Sequence, residues 1–273
     1  MQSNRGTIIR AGVLGGGIVL FSILFFSNKT HLAGKNEHID SGKAKSESGI
    51  LPALSPDEKT DKWIKLAENE KGIEKNVILD SLVQNLVSRR RFDYALKYTE
   101  EKLVSDSSLK TQLQAGEIAF NATKMEMIAK DSVLSKQFSQ KSIQYLQNVV
   151  EKDSLNERAL LYLGMAYIES GQPQNSMRGI LTIRKVTEIN PKNAEAQFQM
   201  GLRSMQTGQF EKAEGRFAKV VSLQPDNWEA NYYLGMAKSE LGKKEEAVRL
   251  WQSVEKGTKD VELKQKVKLL LNP

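Results

Sequence analysis

Cysteine is absent from the 273 residues. That excludes thiolate zinc sites, iron–sulfur clusters, catalytic thiols, disulfide scaffolds and lipid attachment through a cysteine. A chain with no thiol to oxidise suits either redox compartment, so composition does not assign one. Histidine is nearly absent too. His31 and His38 are the only two, and neither has a second His or a carboxylate at the fixed helical spacing of a metal or catalytic site. The Gly-x-x-x-x-Gly-Lys phosphate loop, the Gly-x-Ser-x-Gly elbow and His-Glu-x-x-His are also missing. Adjacent carboxylates such as Glu100-Glu101 and Glu245-Glu246 point about 100° apart on a helix, so they read as a solvated face. The expectation is a protein that binds and does not catalyse, with no metal and no cofactor.

Long apolar runs are scarce, with one exception. Ala11 to Asn28 is uncharged and dominated by Val, Leu, Ile, Phe and Gly, between Arg10 and Lys29. As a helix it covers about 27 Å, close to the hydrocarbon thickness of about 30 Å once Thr7 to Ile9 and a snorkelling Arg10 are added. Residues 1–27 are therefore expected to form a transmembrane anchor. A cleaved signal peptide is the alternative, but the run is long for one and ends in Phe25-Phe26-Ser27-Asn28-Lys29, without Ala-x-Ala spacing. Arg5 and Arg10 before the run favour a cytoplasmic N-terminus, with the bulk of the chain on the periplasmic side of a bacterial cytoplasmic membrane.

The net charge is +7, from 40 basic and 33 acidic residues, and it is spread thinly. Residues 1–55 hold 6 basic and 3 acidic residues, and the other 218 hold 34 and 30. So balanced a remainder does not argue for nucleic acid. The one dense basic cluster, Arg89-Arg90-Arg91, falls where a turn is expected and has no interleaved aromatics for base stacking, so it reads as a solvated turn.

Residues 28–55 are rich in Lys, Ser, Gly, Asn and Glu and poor in large apolar side chains, the composition of a flexible tether. Ser55-Pro56-Asp57-Glu58 predicts a helix start, with Ser55 as cap, Pro56 at the first position and Glu58 completing a capping box. Beyond it the periodicity is helical, and the last third repeats. Gly201, Gly208, Ala213, Phe217 and Val220 recur 34 residues later as Gly235, Gly242, Ala247, Trp251 and Val254, and Pro191 recurs as Pro225. Each unit reads as two helices, with one glycine at their close approach and the next in the turn.

On these residues the chain resembles the tetratricopeptide repeat family. Residues 157–193 carry Leu163-Gly164-x-x-Tyr167 and Pro191, with three extra residues expected in the turn around Gln172-Pro173-Gln174. Residues 194–227 carry Met200-Gly201, Ala213, Phe217 and Pro225, and residues 228–257 carry Leu234-Gly235, Ala247 and Trp251. Ser204 and Lys238 stand where the family has a first-helix aromatic. Residues 109–156 fit with Ala115-Gly116 and an insertion of about fourteen residues, and residues 76–108 fit through Leu82, Phe92 and Ala95. The order of parts is also similar to membrane-anchored bacterial repeat proteins of the Bacteroidetes type, with Met177-Arg178-Gly179-Ile180 as their Met-x-Gly-Ile segment.

The resemblance implies an all-α fold: a TPR-like α-solenoid of about five helical hairpins over 56–273, with helix 57–69 capping one end and residues 258–273 the other. It also implies a concave face lined by first-helix positions two, five, nine, twelve and thirteen. These are Arg158, Leu161, Met165, Ile168 and Glu169, then Glu195, Phe198, Leu202, Met205 and Gln206, then Glu229, Tyr232, Met236, Ser239 and Glu240. Positions five and nine lack the Lys and Asn of relatives that clamp a peptide carboxylate. The expected groove is apolar and Met-rich, suited to a helix or extended segment, with Arg158, Glu195 and Glu229 at the rim. Alternatively the superhelical curl, the upstream helices or a second copy fills that strip.

The function expected is a membrane-anchored adaptor for a partner protein or peptide. The alternatives are a chaperone-like holdase for secreted or membrane clients and a self-associating structural array. A chain lacking residues 1–27 is expected to leave the membrane pellet for the soluble fraction. Continued sedimentation with membranes would place the anchor elsewhere.

Overall fold

In the computed structural model of the chain, residues 57–272 are described. The expected anchor (1–27), the tether (28–55) with both histidines, and Ser55-Pro56 lie outside the described residues. Every regular element among the described residues is helical. In chain order they are α1 (Glu58–Asn69), α2 (Gly72–Ser88), α3 (Phe92–Leu103), α4 (Leu109–Ala122), the short α5 (Glu126–Lys130), α6 (Ser132–Lys152), α7 (Glu157–Glu169), α8 (Pro173–Ile189), α9 (Ala194–Gln206), α10 (Phe210–Leu223), α11 (Trp228–Glu240), α12 (Lys244–Gly257) and α13 (Val261–Leu271). Helices α2/α3, α4/α6, α7/α8, α9/α10 and α11/α12 pair as hairpins, α1 packs on the first and α13 on the last.

Local chemistry sets where these helices begin. Asn156, Asn193 and Asn227 accept the backbone N–H of Ala159, Ala196 and Ala230, each at 3.0 Å, so α7, α9 and α11 start on the same kind of cap. Each cap satisfies one of the orphan donors of a helix end. A second recurring bond ties first helices to the preceding turn. Gln112, Gln197 and Asn231 donate side-chain amides to the carbonyls of Ser107, Pro191 and Pro225 at 2.7, 3.0 and 3.0 Å.

Packing within hairpins depends on glycine in the first helix. A Cβ at Gly116, Gly201 or Gly235 would collide with Leu146, Phe217 or Trp251 of the second helix. The crossing of α7 and α8 brings two backbones together: a Cβ on Gly179 would lie 2.5 Å from the Gly164 carbonyl oxygen, and one on Gly164 as close to Ile183. Around these crossings sit the buried cores: Leu79, Leu82, Leu86 and Leu96 toward the N-terminus, Leu160, Ile183 and Val186 in the middle, and Trp251, Val254 and Val267 at the end.

Three boundaries differ from the sequence expectation. Helix α1 starts at Glu58 and its cap is Asp57, whose carboxylate accepts the Thr60 N–H at 3.0 Å. Arg89 holds that carboxylate at 3.0 Å from across the hairpin, a tertiary ion pair that Ser55 could not make. The three extra residues near Pro173 do not widen the turn. Pro173 opens α8, which has 17 residues where α10 has 14, so the extra length is helix. In the same way the insertion after α4 folds as α5 and the front of α6, a helix of 21 residues.

The arginine triplet does lie in a turn, yet it is more than solvated charge. Arg89 bonds Asp57 and Thr60, and Arg91 bonds the buried Asp93 at 2.7 Å while its guanidinium lies 4.7 Å from the Tyr94 ring centroid. Arg90 is left-handed (φ 57°), at the turn position where later hairpins have Gly171, Gly208 and Gly242.

Gly179→Ala is expected to lower unfolding stability by about 1–3 kcal/mol, because the crossing must open to admit a methyl group. Gly215→Ala, on a face of α10 with open space around it, is expected to raise it by about 0.5–1 kcal/mol. Urea melts of both variants check the pair; equal midpoints would mean that the crossing is not tight.

Candidate functional site

The first helices α4, α7, α9 and α11 form the layer on which the expected binding positions fall, with direct contacts from α4 to α7 and from α9 to α11. The structure sorts those positions by depth. Leu161, Met165, Phe198 and Met205 are buried, which takes them off the surface. Ile168, Leu202, Tyr232 and Met236 are half-buried, and Arg158, Glu195 and Glu229 are exposed.

Each burial has a neighbour that causes it. The Phe198 ring meets Phe217 and Tyr233 edge-on at 5.6 and 5.8 Å, and Tyr233 stacks on Phe217 at 5.5 Å. Leu161 and Met165 join a core with Phe120, Leu160 and Ile183. Tyr232 and Met236 pack against the buried cluster of Ala247, Trp251, Val254 and Val267, which Leu263, Leu270 and Leu271 of α13 also cover. The methionines thus mostly fill the interior, and the strip left to solvent is tyrosine, leucine and carboxylate in character.

Other residues of this face were not among the expected ones. Glu117 on α4 accepts both nitrogens of a forked contact from Arg158, one at 2.8 Å, and Phe120 meets Tyr162 edge-on at 5.6 Å. Counting α4 from Leu109 by the family positions would have found Glu117, Phe120 and Asn121. Nothing in the position rule points to Tyr162, or to Asp260 and Lys266, which reach the face from the end of the solenoid. Lys124 closes the α4 end of the strip with an ion pair to Glu169.

The electrostatics of this face are uneven. Burial pushes the Glu117 carboxyl above the ordinary glutamate value, against the pull of Arg158. Glu229 is also pushed up, chiefly because it sits in a crowded hollow although solvent still reaches it. Glu195 and Asp260 repel its charge further, and Lys266 offsets only part of this. Burial raises the Tyr232 hydroxyl too, with Lys266 pulling the other way. Among the described residues no group of His, Asp or Glu side chains is placed to hold a metal ion.

A second hollow lies between the front of α6 and the α7–α8 turn, lined by Ser132, Ser139, Gln140, Gln144, Gln172 and Asn175. Lys136 and Glu169 also border it, but it has no aromatic platform, so it offers less apolar area to a ligand than the inner face.

For Glu229 a raised folded pKa means that the neutral acid is the form the fold prefers. Its contribution is then complete below the ordinary glutamate range and is lost as pH rises through the raised value. Thermal melts of Glu229→Gln and the parent chain are therefore expected to coincide near pH 4 and to separate in favour of the variant near pH 7. A variant that loses ground between those pH values would show the carboxylate to be well solvated.

Comparison with known proteins agrees with this architecture. Residues 198–259 match the family model described as tetratricopeptide repeat. A tetratricopeptide repeat protein from Parabacteroides merdae superposes with a TM-score of 0.58 at 16% identity, over 77% of this chain and 78% of that one. A thermophilic TPR protein of Thermus thermophilus gives 0.55 at 16% identity over 72% and 98%. MamA of Desulfovibrio magneticus gives 0.51 at 16% identity over 75% and 100%. At such identities the likeness is one of fold. No curated protein matches the chain. The direct family match lies at 198–259, and the hairpins upstream continue the same fold.

Proposed function

We propose that this chain is an adaptor that holds a segment of a partner protein on the inner face of α4, α7, α9 and α11. The observation that carries the reading is the half-buried strip of Tyr162, Ile168, Leu202 and Tyr232, edged by the exposed Arg158, Glu195 and Glu229. Partly covered apolar side chains ringed by charge are what a protein-binding patch offers: area to bury at the centre and charges that set register at the rim. The half-buried tyrosines bring amphipathic area at little cost in side-chain entropy.

The membrane part of the proposal has its support in the sequence. Ala11 to Asn28 has the length and composition of a span, followed by a polar stretch long enough to let the repeats stand away from the bilayer. Among the described residues no helix is long and apolar enough to cross a membrane. On this reading the repeats act on the periplasmic side of a bacterial cytoplasmic membrane.

Self-association is the second reading, favoured by Ile73 and Val77 on α2 and Val261 and Leu269 on α13, large apolar side chains exposed toward the two ends of the solenoid.

Leu202→Glu and Tyr232→Glu, made together, are expected to weaken partner capture from solubilised membranes by about tenfold or more while leaving the helical circular dichroism unchanged. Phe198 is unsuitable for the test, since at 7% exposure its loss would unfold the repeat. Full capture by the double variant would move the binding site off the inner face.

A further inference from the structure

The two halves of the inner face treat their carboxylates differently. Toward the N-terminus each one has a cation: Glu117 is held by Arg158, and Glu169 by Lys124. Toward the C-terminus they have none. Glu195 accepts only from Gln199 of its own helix, at 2.9 Å, and Glu229 and Glu240 have no partner among the described residues. The cation nearest Glu229, Lys266, is engaged by Glu262 at 2.7 Å, and Asp260 adds a further negative charge. This is an anionic hollow in a chain whose net charge is +7.

We propose that the segment held by α9 and α11 is basic: a peptide whose lysine or arginine side chains pair with Glu195 and Glu229 while its apolar residues lie on Leu202 and Tyr232. The inference rests on the adaptor reading above and names the chemistry of its occupant.

Charge complementarity singles out this occupant. Glu195 and Glu229 occupy the same position of successive first helices, so their carboxylates face the same groove at about the spacing of packed helices, roughly 10 Å. Like charges held so close repel, and Glu195 and Asp260 add to the burial that already pushes the Glu229 carboxyl above its ordinary value. A bound cation relieves that repulsion, and an acidic segment would add to it. Long basic side chains also suit the surroundings, because their methylene stems can lie along Leu202 and Tyr232 while the head reaches the carboxylate. A Lys or Arg head beside a tyrosine face gains a cation–π contact in addition.

The test uses the full-length protein and three fluorescently labelled peptides that share one frame of leucine and tyrosine, with lysine, glutamine or glutamate at the variable positions. Anisotropy titrations are expected to show the lysine peptide binding about tenfold tighter than the glutamine peptide, with the glutamate peptide weakest. Raising the ionic strength should shrink that preference. Glu195→Gln with Glu229→Gln should abolish it, whereas Glu211→Gln with Glu245→Gln, exposed carboxylates on second helices, should leave it intact.

Equal affinity for the lysine and glutamine peptides, lost in the Leu202→Glu variant, would overturn the charge inference and leave the groove standing. A lysine preference that survives in the Glu195/Glu229 variant would place the basic contact elsewhere and overturn the inference as well. Failure of all three peptides to bind would overturn the groove reading with it. Concentration-dependent sedimentation that disappears in the Glu195/Glu229 variant would make a second copy the occupant, and the inference would fail in that form.

Discussion

The fit of a large second-helix side chain against a first-helix glycine is the contact on which the rest of this structure depends. Gly116 receives Leu146, Gly201 receives Phe217 and Gly235 receives Trp251, while Gly164 and Gly179 bring two backbones together. Each fit draws two helices close enough to exclude water, and burying a side chain of that size contributes about 1.5–3 kcal/mol. Since a repeat touches only its neighbours, the solenoid is a sum of such local fits and the interfaces between them. The caps at Asn156, Asn193 and Asn227 place the glycines in register by starting α7, α9 and α11 at equivalent points.

That same closeness shapes the binding face. Once Phe217 is seated against Gly201, Phe198 and Tyr233 close around it, and an aromatic cluster takes the middle of the layer into the core. Leu202, one turn along from Phe198, and Tyr232, the counterpart of Phe198 one repeat on, are left partly open, and the carboxylates at helix starts stay in solvent. The surface offered to a partner is a by-product of hairpin packing. Its charge is set separately, by whether a basic residue stands opposite: Arg158 meets Glu117, whereas Glu229 meets a lysine already bound to Glu262.

Much of the fold was legible because it repeats. The 34-residue offset of Gly201 and Gly235, with Phe217 and Trp251 behind them, encodes the hairpin directly. Boundaries were less legible, because they answer to partners distant in sequence. Asp57 caps α1 in place of Ser55 because Arg89 stands opposite it, and Pro173 starts α8 because a proline at the first helical position extends the helix at no cost in hydrogen bonds. The site was legible in direction only. A position rule says which side of a helix faces the groove; it does not say how deep a side chain lies, and Met165, Met205 and Phe198 proved to be interior. The arginine triplet lies in the turn expected of it, but Asp57 and Asp93, which engage two of its members, become visible as partners only in the folded hairpin.

By itself the sequence determined the all-helical class, the hairpin repeat, the absence of thiol chemistry and the set of first-helix positions that share a face. These follow from residue types and periods, which local stereochemistry reads directly. Only the tertiary structure decided which of those positions stay accessible, which carboxylates keep a cation, and that the face ends in tyrosines and unpaired glutamates. Depth and pairing are properties of neighbours, and the neighbours here come from the second helix of the same hairpin and from helices one repeat away.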